Sequence, residues 1–223
     1  MCIIGSMSYR LAIFDFDGTL ADSLPFLLSV FNRIADEHGF RRIDLAQLDS
    51  LRHYGTRDMM RHVGMPAWKL PLAAASFKTL MRENAGRVAL FPEIDAVLRE
   101  LARGDITLTI VSSNAEDNVR QVLGPELAAL ISQYECGVSI FGKTARIRKV
   151  LKRASVAPAS ALYIGDQATD ADAARRAGVA FAAVHWGYAP IEALRKVDPE
   201  HEFDLPASLG AIATLQAKRA AQA

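Results

Sequence analysis

Apolar residues recur along this chain in two rhythms, and the change of rhythm divides it. Residues 10–15, RLAIFD, form a short apolar run that predicts a buried strand, closed at once by a turn through Asp17 and Gly18. Over residues 23–38 the spacing becomes helical, with Leu24, Leu27, Leu28, Phe31, Ile34 and Ala35 along one stripe. Residues 44–85 hold further helical pieces, broken at Gly55, Gly64, Pro66 and Pro71. No strand is evident between about residues 20 and 88. This all-helical block is larger than an ordinary crossover and reads as an insertion.

From residue 92 strands and helices alternate. PEIDAVLRELARG predicts a helix ending at Gly104, and ITLTIVSS (106–113) a strand running into a polar loop. A helix begins over 115–123, VSIFG (138–142) is a short apolar segment, and 144–154 is a basic amphipathic helix. ALYIGD (161–166) predicts a strand ending in an acid, DADAARRAG (170–178) a helix stopped by glycine, and VAFAAV (179–184) the last strand. Alternation of this kind predicts an α/β fold with a parallel sheet covered on both faces. Residues 206–221 predict an alanine-rich helix with a frayed AKRAAQA end.

Composition narrows the function. With 51% hydrophobic residues, the chain can bury the core of one medium domain carrying an insertion. A net charge of +1 gives no global attraction to nucleic acid or to an anionic membrane. No apolar stretch reaches the roughly 20 residues that span a bilayer. Cys2 and Cys136 form neither a metal-ligand spacing nor a disulfide framework, which fits a reducing, cytoplasmic setting. The first eight residues read as a loose leader without a signal-peptide pattern.

The chemistry concentrates at strand ends. In FDFDGTLADS (14–23), Asp15 and Asp17 close an apolar run, where both acids reach a site above the sheet. Phosphoryl transfer needs an attacking group and a cation against the phosphate charge. Asp15 can attack phosphorus to form an aspartyl-phosphate, while Asp17 protonates the departing alcohol and then activates water. Gly18 permits a sharp turn whose N–H groups can hold phosphate oxygens. Ser112 ends a second strand, and its hydroxyl with the following Ser113 N–H can donate to phosphate; Ser113 or Asn114 can equally cap the next helix. Lys143 stands at a loop-to-helix junction after Gly142, set apart from Arg146, Arg148, Lys149, Lys152 and Arg153, most of which read as solvated helix charges. In YIGDQATD (163–170), Asp166 ends a strand and Asp170 falls in the first turn of the next helix. Asp15, the Asp17 carbonyl and Asp166 make an oxygen-rich set suited to Mg²⁺, with Asp170 acting through water or by orienting Lys143.

Taken in order, DFDGTLADS, TIVSSN, FGK and IGDQATD resemble the four motifs of the haloacid dehalogenase superfamily. The resemblance covers residues 9 to about 215. It implies a Rossmann-like parallel-sheet core, residues 1–19 and 89–223, with a helical cap of residues 20–88 inserted after the first strand. It implies Asp15 as nucleophile, Asp17 as acid/base, and Asp15, Asp17, Asp166 and Asp170 as the metal-binding acids. Asp17 is the acid that the family's dehalogenases lack. The family's phosphonatases use a cap lysine, for which Lys69 and Lys78 are the candidates.

LRHYGTRDMMRHVG (51–64) and VHWGYAPIEAL (184–194) resemble the phosphoglycolate phosphatases of this superfamily. Arg52, His53, Arg57, Arg61 and His62 form a basic cluster in the cap, and Arg52 and Arg57 are the preferred partners for a substrate carboxylate. His185, near the last strand, borders the pocket or serves packing, and Trp186 and Tyr188 serve as pocket wall or core cover. The expectation is a Mg²⁺-dependent phosphatase acting on a small phosphorylated metabolite. A β-phosphoglucomutase-like activity, pyrophosphate or nucleotide monophosphate hydrolysis, and a non-catalytic binding role stay open, as does the choice between monomer and homodimer.

Overall fold

The computed structural model describes residues 9–44, 46, 51, 54, 56–137 and 142–215. The core is a six-stranded sheet in which every paired strand is parallel. Its strands are β1 (Leu11–Phe14), β4 (Thr107–Val111), β5 (Ile131–Glu135), β6 (Ala161–Gly165), β7 (Ala180–Val184) and β8 (His201–Phe203), in the spatial order β5-β4-β1-β6-β7-β8. The central strand β1 pairs Phe14 with Ile110 on one side and Ile164 on the other, so three strand ends lie side by side.

The period of two in each strand sorts its side chains into two cores. Ala12, Phe14, Leu108, Ile110, Leu162 and Ile164 pack with the helices α4 (Ile94–Arg103) and α5 (Glu116–Leu130). Leu11, Ile13, Val111, Tyr163, Phe181 and Ala183 pack with α6 (Lys143–Ala154), α7 (Ala168–Ala177) and α8 (Ile191–Arg195). Both faces are covered, as the apolar runs predict.

The inserted segment leaves the core through a small antiparallel pair, β2 (Ala21–Asp22) with β3 (Ala89–Leu90). Between these strands lie α1 (Leu24–His38), α2 (Thr56–His62) and α3 (Leu70–Glu83). Gly39 ends α1 in a left-handed conformation, at φ 64°, with its N–H on the Ala35 carbonyl. The rings of Phe26 in α1 and Phe77 in α3 lie 5.9 Å apart. Ile43, Leu51 and Val63 make a separate small core.

Four expectations need correction. The block after residue 20 is not free of strands, because β2 and β3 brace its two stems; pairs this short carry no periodicity. β5 went unread because ISQYE is largely polar and buries a glutamate where a strand would bury an apolar residue. β7 is not the last strand, since the three-residue edge strand β8 follows it. Residues Pro206–Ala213 form a 3₁₀ turn rather than an α-helix, and the remainder of that predicted helix beyond residue 215 lies outside the described residues. Its buried residues, Leu209 and Ile212, are three apart, which is the 3₁₀ repeat. Residues 138–141 of the predicted apolar segment also lie outside the described residues.

Leu98 of α4 is fully buried against the sheet. Leu98→Ala is expected to destabilise the chain by about 2–5 kcal/mol, through lost burial plus the cavity left behind. Urea unfolding should show a lower midpoint with an unchanged slope.

Candidate active site

Three carboxylates meet at the C-terminal edge of the sheet because β1 and β6 are neighbours. Asp15 follows β1, Asp166 follows β6, and Asp170 lies in the first turn of α7. All three are buried, and each offers an oxygen within 4.8 Å of the others. The Asp15 N–H donates to the Ile164 carbonyl at 2.9 Å, which continues the β1–β6 ladder to the acid itself.

Lys143 is the cation among them. Its Nζ donates to Asp15 Oδ2 and to Asp170 Oδ1, both at 2.7 Å, with the lysine only 5% exposed. Burial works against its charge, but Asp15 and Asp170 hold its pKa well above the ordinary lysine value. Asp15 is also bonded by the Phe16 N–H, at 2.8 Å to Oδ1. Asp170 closes a capping box with Gln167, whose N–H donates to Asp170 Oδ2 at 3.1 Å. It therefore caps a helix and orients a lysine at once. Tyr163, from β6, donates to Asp170 Oδ1 at 3.3 Å.

One lysine does not balance three carboxylates. Burial first, and then the charge of Asp170, push the Asp15 carboxyl up to about 7 against the opposing pull of Lys143. Burial, Asp170 and Asp15 push Asp166 well above its ordinary range. A compact all-oxygen donor set with uncompensated negative charge fits a hard divalent cation.

Two glycines make room for Asp166. Gly18, at φ +80°, would place a side-chain carbon 2.3 Å from Asp166 Oδ2, and Gly187 would place one 2.1 Å from the Asp166 Cβ. The Gly18 N–H is spent within the loop, on the Ala21 carbonyl at 2.9 Å. Asp166 accepts the Tyr188 N–H at 2.8 Å, and Thr19 Oγ1 lies 3.4 Å from its other oxygen. Trp186 Nε1 donates to the Thr19 carbonyl at 3.0 Å. The WGY segment thus braces the first loop from the far side of the site.

Ser112 follows β4 fully buried, and its N–H bonds the Glu135 carbonyl at 3.2 Å. Its Oγ accepts the Asn114 N–H at 3.1 Å, which leaves the hydroxyl proton to donate. Ser113 follows, half-buried. Asp17 is half-buried; Asn114 Nδ2 donates to its Oδ2 at 2.9 Å. Burial raises the Asp17 pKa, while the nearby Ser23 hydroxyl and the Asn114 amide oppose the rise. The Ser23 hydroxyl is itself bonded to Tyr188 OH at 2.7 Å.

Three basic residues expected to be solvated have a structural task. Arg146, Lys149 and Arg153 converge on Glu135, which is only 3% exposed, at 2.8, 2.7 and 2.8 Å. Burial disfavours the Glu135 charge, but bonds from Lys149 and Arg146 outweigh it and hold its pKa below the ordinary value. This clamp fixes α6 against β5, and α6 begins at Lys143. Glu135 was missed in the sequence because its strand was missed; Asn114 was visible only as a possible cap.

Arg57 lies exposed on α2, while Arg52 and His53 lie outside the described residues. Lys69 is engaged away from the acids, donating to the carbonyls of His38 and Gly39 at the end of α1. His185 pairs with Glu202 at 3.0 Å.

Comparison with known proteins agrees with this geometry. The model of the haloacid dehalogenase-like hydrolase family matches residues 12–184. The phosphoglycolate phosphatase of Synechococcus elongatus is 30% identical over 198 residues, spanning 88% of this chain and 93% of that protein. That of Xanthomonas campestris is 32% identical over 193 residues, spanning 80% of this chain and 84% of its own. In fold, a haloacid dehalogenase-like hydrolase of Streptococcus pneumoniae superposes with a TM-score of 0.75 at 21% identity, covering 91% of this chain and 97% of its own. CbbY of Rhodobacter sphaeroides, solved with phosphate, gives 0.68 at 21% identity, covering 93% and 100%. With its inserted helices, its acids at adjoining strand ends and a family match over most of its length, this chain belongs to the haloacid dehalogenase-like hydrolases and is a phosphatase that uses an aspartate nucleophile in a divalent-metal site.

Proposed function

We propose that the chain hydrolyses a small phosphorylated carboxylic acid, 2-phosphoglycolate above others, in a Mg²⁺-dependent reaction through an aspartyl-phosphate on Asp15. The observation that carries the chemistry is Lys143 shared between Asp15 and Asp170 beside Asp166. The phosphoglycolate phosphatases at 30% and 32% identity support the substrate. Residues 1–19 and 89–223 form the catalytic core in this reading, and residues 20–88 form a cap that covers the substrate and excludes water.

Asp15, Asp166 and the Asp17 carbonyl would hold Mg²⁺, with Asp170 in support. When bound, the cation supplies positive charge against the phosphate oxygens. Lys143, the Ser112 hydroxyl and the Ser113 N–H hold those oxygens, and the turn at Gly18 lets the loop approach them. Asp15 attacks phosphorus as the bond to the alcohol oxygen breaks. Asp17 gives that oxygen its proton. In the second half, Asp17 takes a proton from water, the water oxygen attacks phosphorus, and the bond to Asp15 breaks to release phosphate. Arg57, with Arg52, receives the substrate carboxylate.

Steady-state phosphate release should favour 2-phosphoglycolate over sugar phosphates, pyrophosphate and nucleotide monophosphates, and Asp15→Asn should abolish turnover on all of them. Arg57→Ala should raise KM for 2-phosphoglycolate and leave it unchanged for p-nitrophenyl phosphate. A preference for an ester without a carboxylate discards the substrate assignment and keeps the mechanism.

The metal also makes a pH prediction. Asp15 is raised to about 7 from 3.8, so its ionisation opposes the metal-free fold: its contribution is most favourable below its unfolded value and is lost as pH rises through about 7. Asp166, also raised, acts in the same sense. Protons therefore compete with the cation. At about 100 times its Kd, Mg²⁺ should stabilise the chain by about 2.7 kcal/mol, a rise in Tm of roughly 5–10 °C. The rise should be larger at about pH 8 than at about pH 5.5 and absent in Asp166→Asn. Equal rises at both pH values count against these acids as the ligands.

A further inference from the structure

We infer that Asn114 is the positioning residue that fixes the rotation of the Asp17 carboxyl and so selects Oδ1 as the oxygen that exchanges protons with the leaving group and with water. This rests on the reading of Asp17 as the acid/base.

A carboxyl rotates about a soft torsion, so an acid that must deliver a proton to one point needs something to hold it. Asn114, 2% exposed, is itself fully held. Its Nδ2 donates to Asp17 Oδ2 at 2.9 Å and reaches the Met81 sulfur. Its Oδ1 accepts the Ala115 N–H at 2.8 Å and Asn118 Nδ2 at 3.0 Å. Both amide hydrogens and both lone pairs are thereby used. Turning the amide over would set its oxygen against the Asp17 carboxyl and its N–H groups against two other donors. The donor must therefore face Asp17. Asn118 has no freedom to turn either, because its Nδ2 also donates to the Lys78 carbonyl at 3.0 Å.

The consequence falls on Asp17. Oδ2 is committed as an acceptor from Asn114. Oδ1 is buried and meets no donor at hydrogen-bond distance among the described residues, the nearby Ser23 hydroxyl being bonded to Tyr188 OH at 2.7 Å. It is the oxygen left to give a proton to the alcohol in the first half-reaction and to take one from water in the second. Met81 and Lys78 belong to α3, in the inserted segment, whereas Asn114 and Asn118 belong to the core. The amide pair beside Asp17 is thus braced by α3 of the inserted segment.

The test compares kcat/KM, which reports the steps through release of the alcohol, on two esters. The phenolate of p-nitrophenyl phosphate leaves without help from an acid; the alkoxide of 2-phosphoglycolate needs one. Positioned general-acid catalysis is worth about 10²–10⁴-fold. Asp17→Asn should therefore lose far more on 2-phosphoglycolate than on the aryl ester. Asn114→Ala and the near-isosteric Asn114→Leu should show the same selective loss, roughly 10–100-fold greater on the alkyl ester, as part of that effect. Asn118→Ala, which leaves Asn114 in place but unpinned, should show a smaller loss in the same sense and serves if the Asn114 variants do not fold. Equal losses on both esters in the Asn114 and Asn118 variants, beside a selective loss in Asp17→Asn, overturn the assignment of Asn114 and leave Asp17 as the acid. An unselective loss in Asp17→Asn overturns the reading of Asp17, and the role of Asn114 with it.

Discussion

A buried ammonium shared by two buried carboxylates governs this structure. Lys143 bonds Asp15 and Asp170 at 2.7 Å each, and Asp166 adds a third acid within reach. Removing such charges from water is costly unless they are paired and bonded, and breaking one pair strands the others. The surrounding features serve this arrangement. The Glu135 clamp fixes the helix that begins with Lys143. The capping box holds Asp170, and two glycines let the first loop and the WGY segment close on Asp166. The remaining negative charge is what a divalent cation answers, so the same imbalance that costs stability prepares the site for metal and phosphate.

The fold was legible where a strand or helix is long enough to show its period. β1, β4, β6 and β7, with the helices between them, follow from apolar runs and from glycine stops such as Gly104 and Gly178. The acids were legible because a carboxylate at the end of a buried strand needs a reason to be there. Elements set by distant partners were not. β2 and β3 are two residues each and exist only through their pairing across the insertion. β5 is a polar edge strand whose buried Glu135 is neutralised by residues 11 to 18 positions later, and no local pattern carries that.

The polar network around Asp17 shows the same limit. Asn114 beside Ser112 reads in sequence as a helix cap, and its side chain does accept the Ala115 N–H. Its second task depends on Asp17, 97 positions earlier, and on Met81 from the inserted helices. Ser23 and Tyr188, bonded to each other, join the start of the inserted segment to the WGY segment. The core and the inserted segment therefore meet beside Asp17, the acid proposed to handle protons.

The central claim is that phosphoryl transfer passes through Asp15. The most direct test is the stereochemical course at phosphorus, followed with a substrate made chiral by oxygen isotopes and sulfur. Attack by Asp15 and then by water gives two in-line displacements, so the account predicts net retention of configuration. Net inversion would mean that water attacks the substrate directly, and would contradict it.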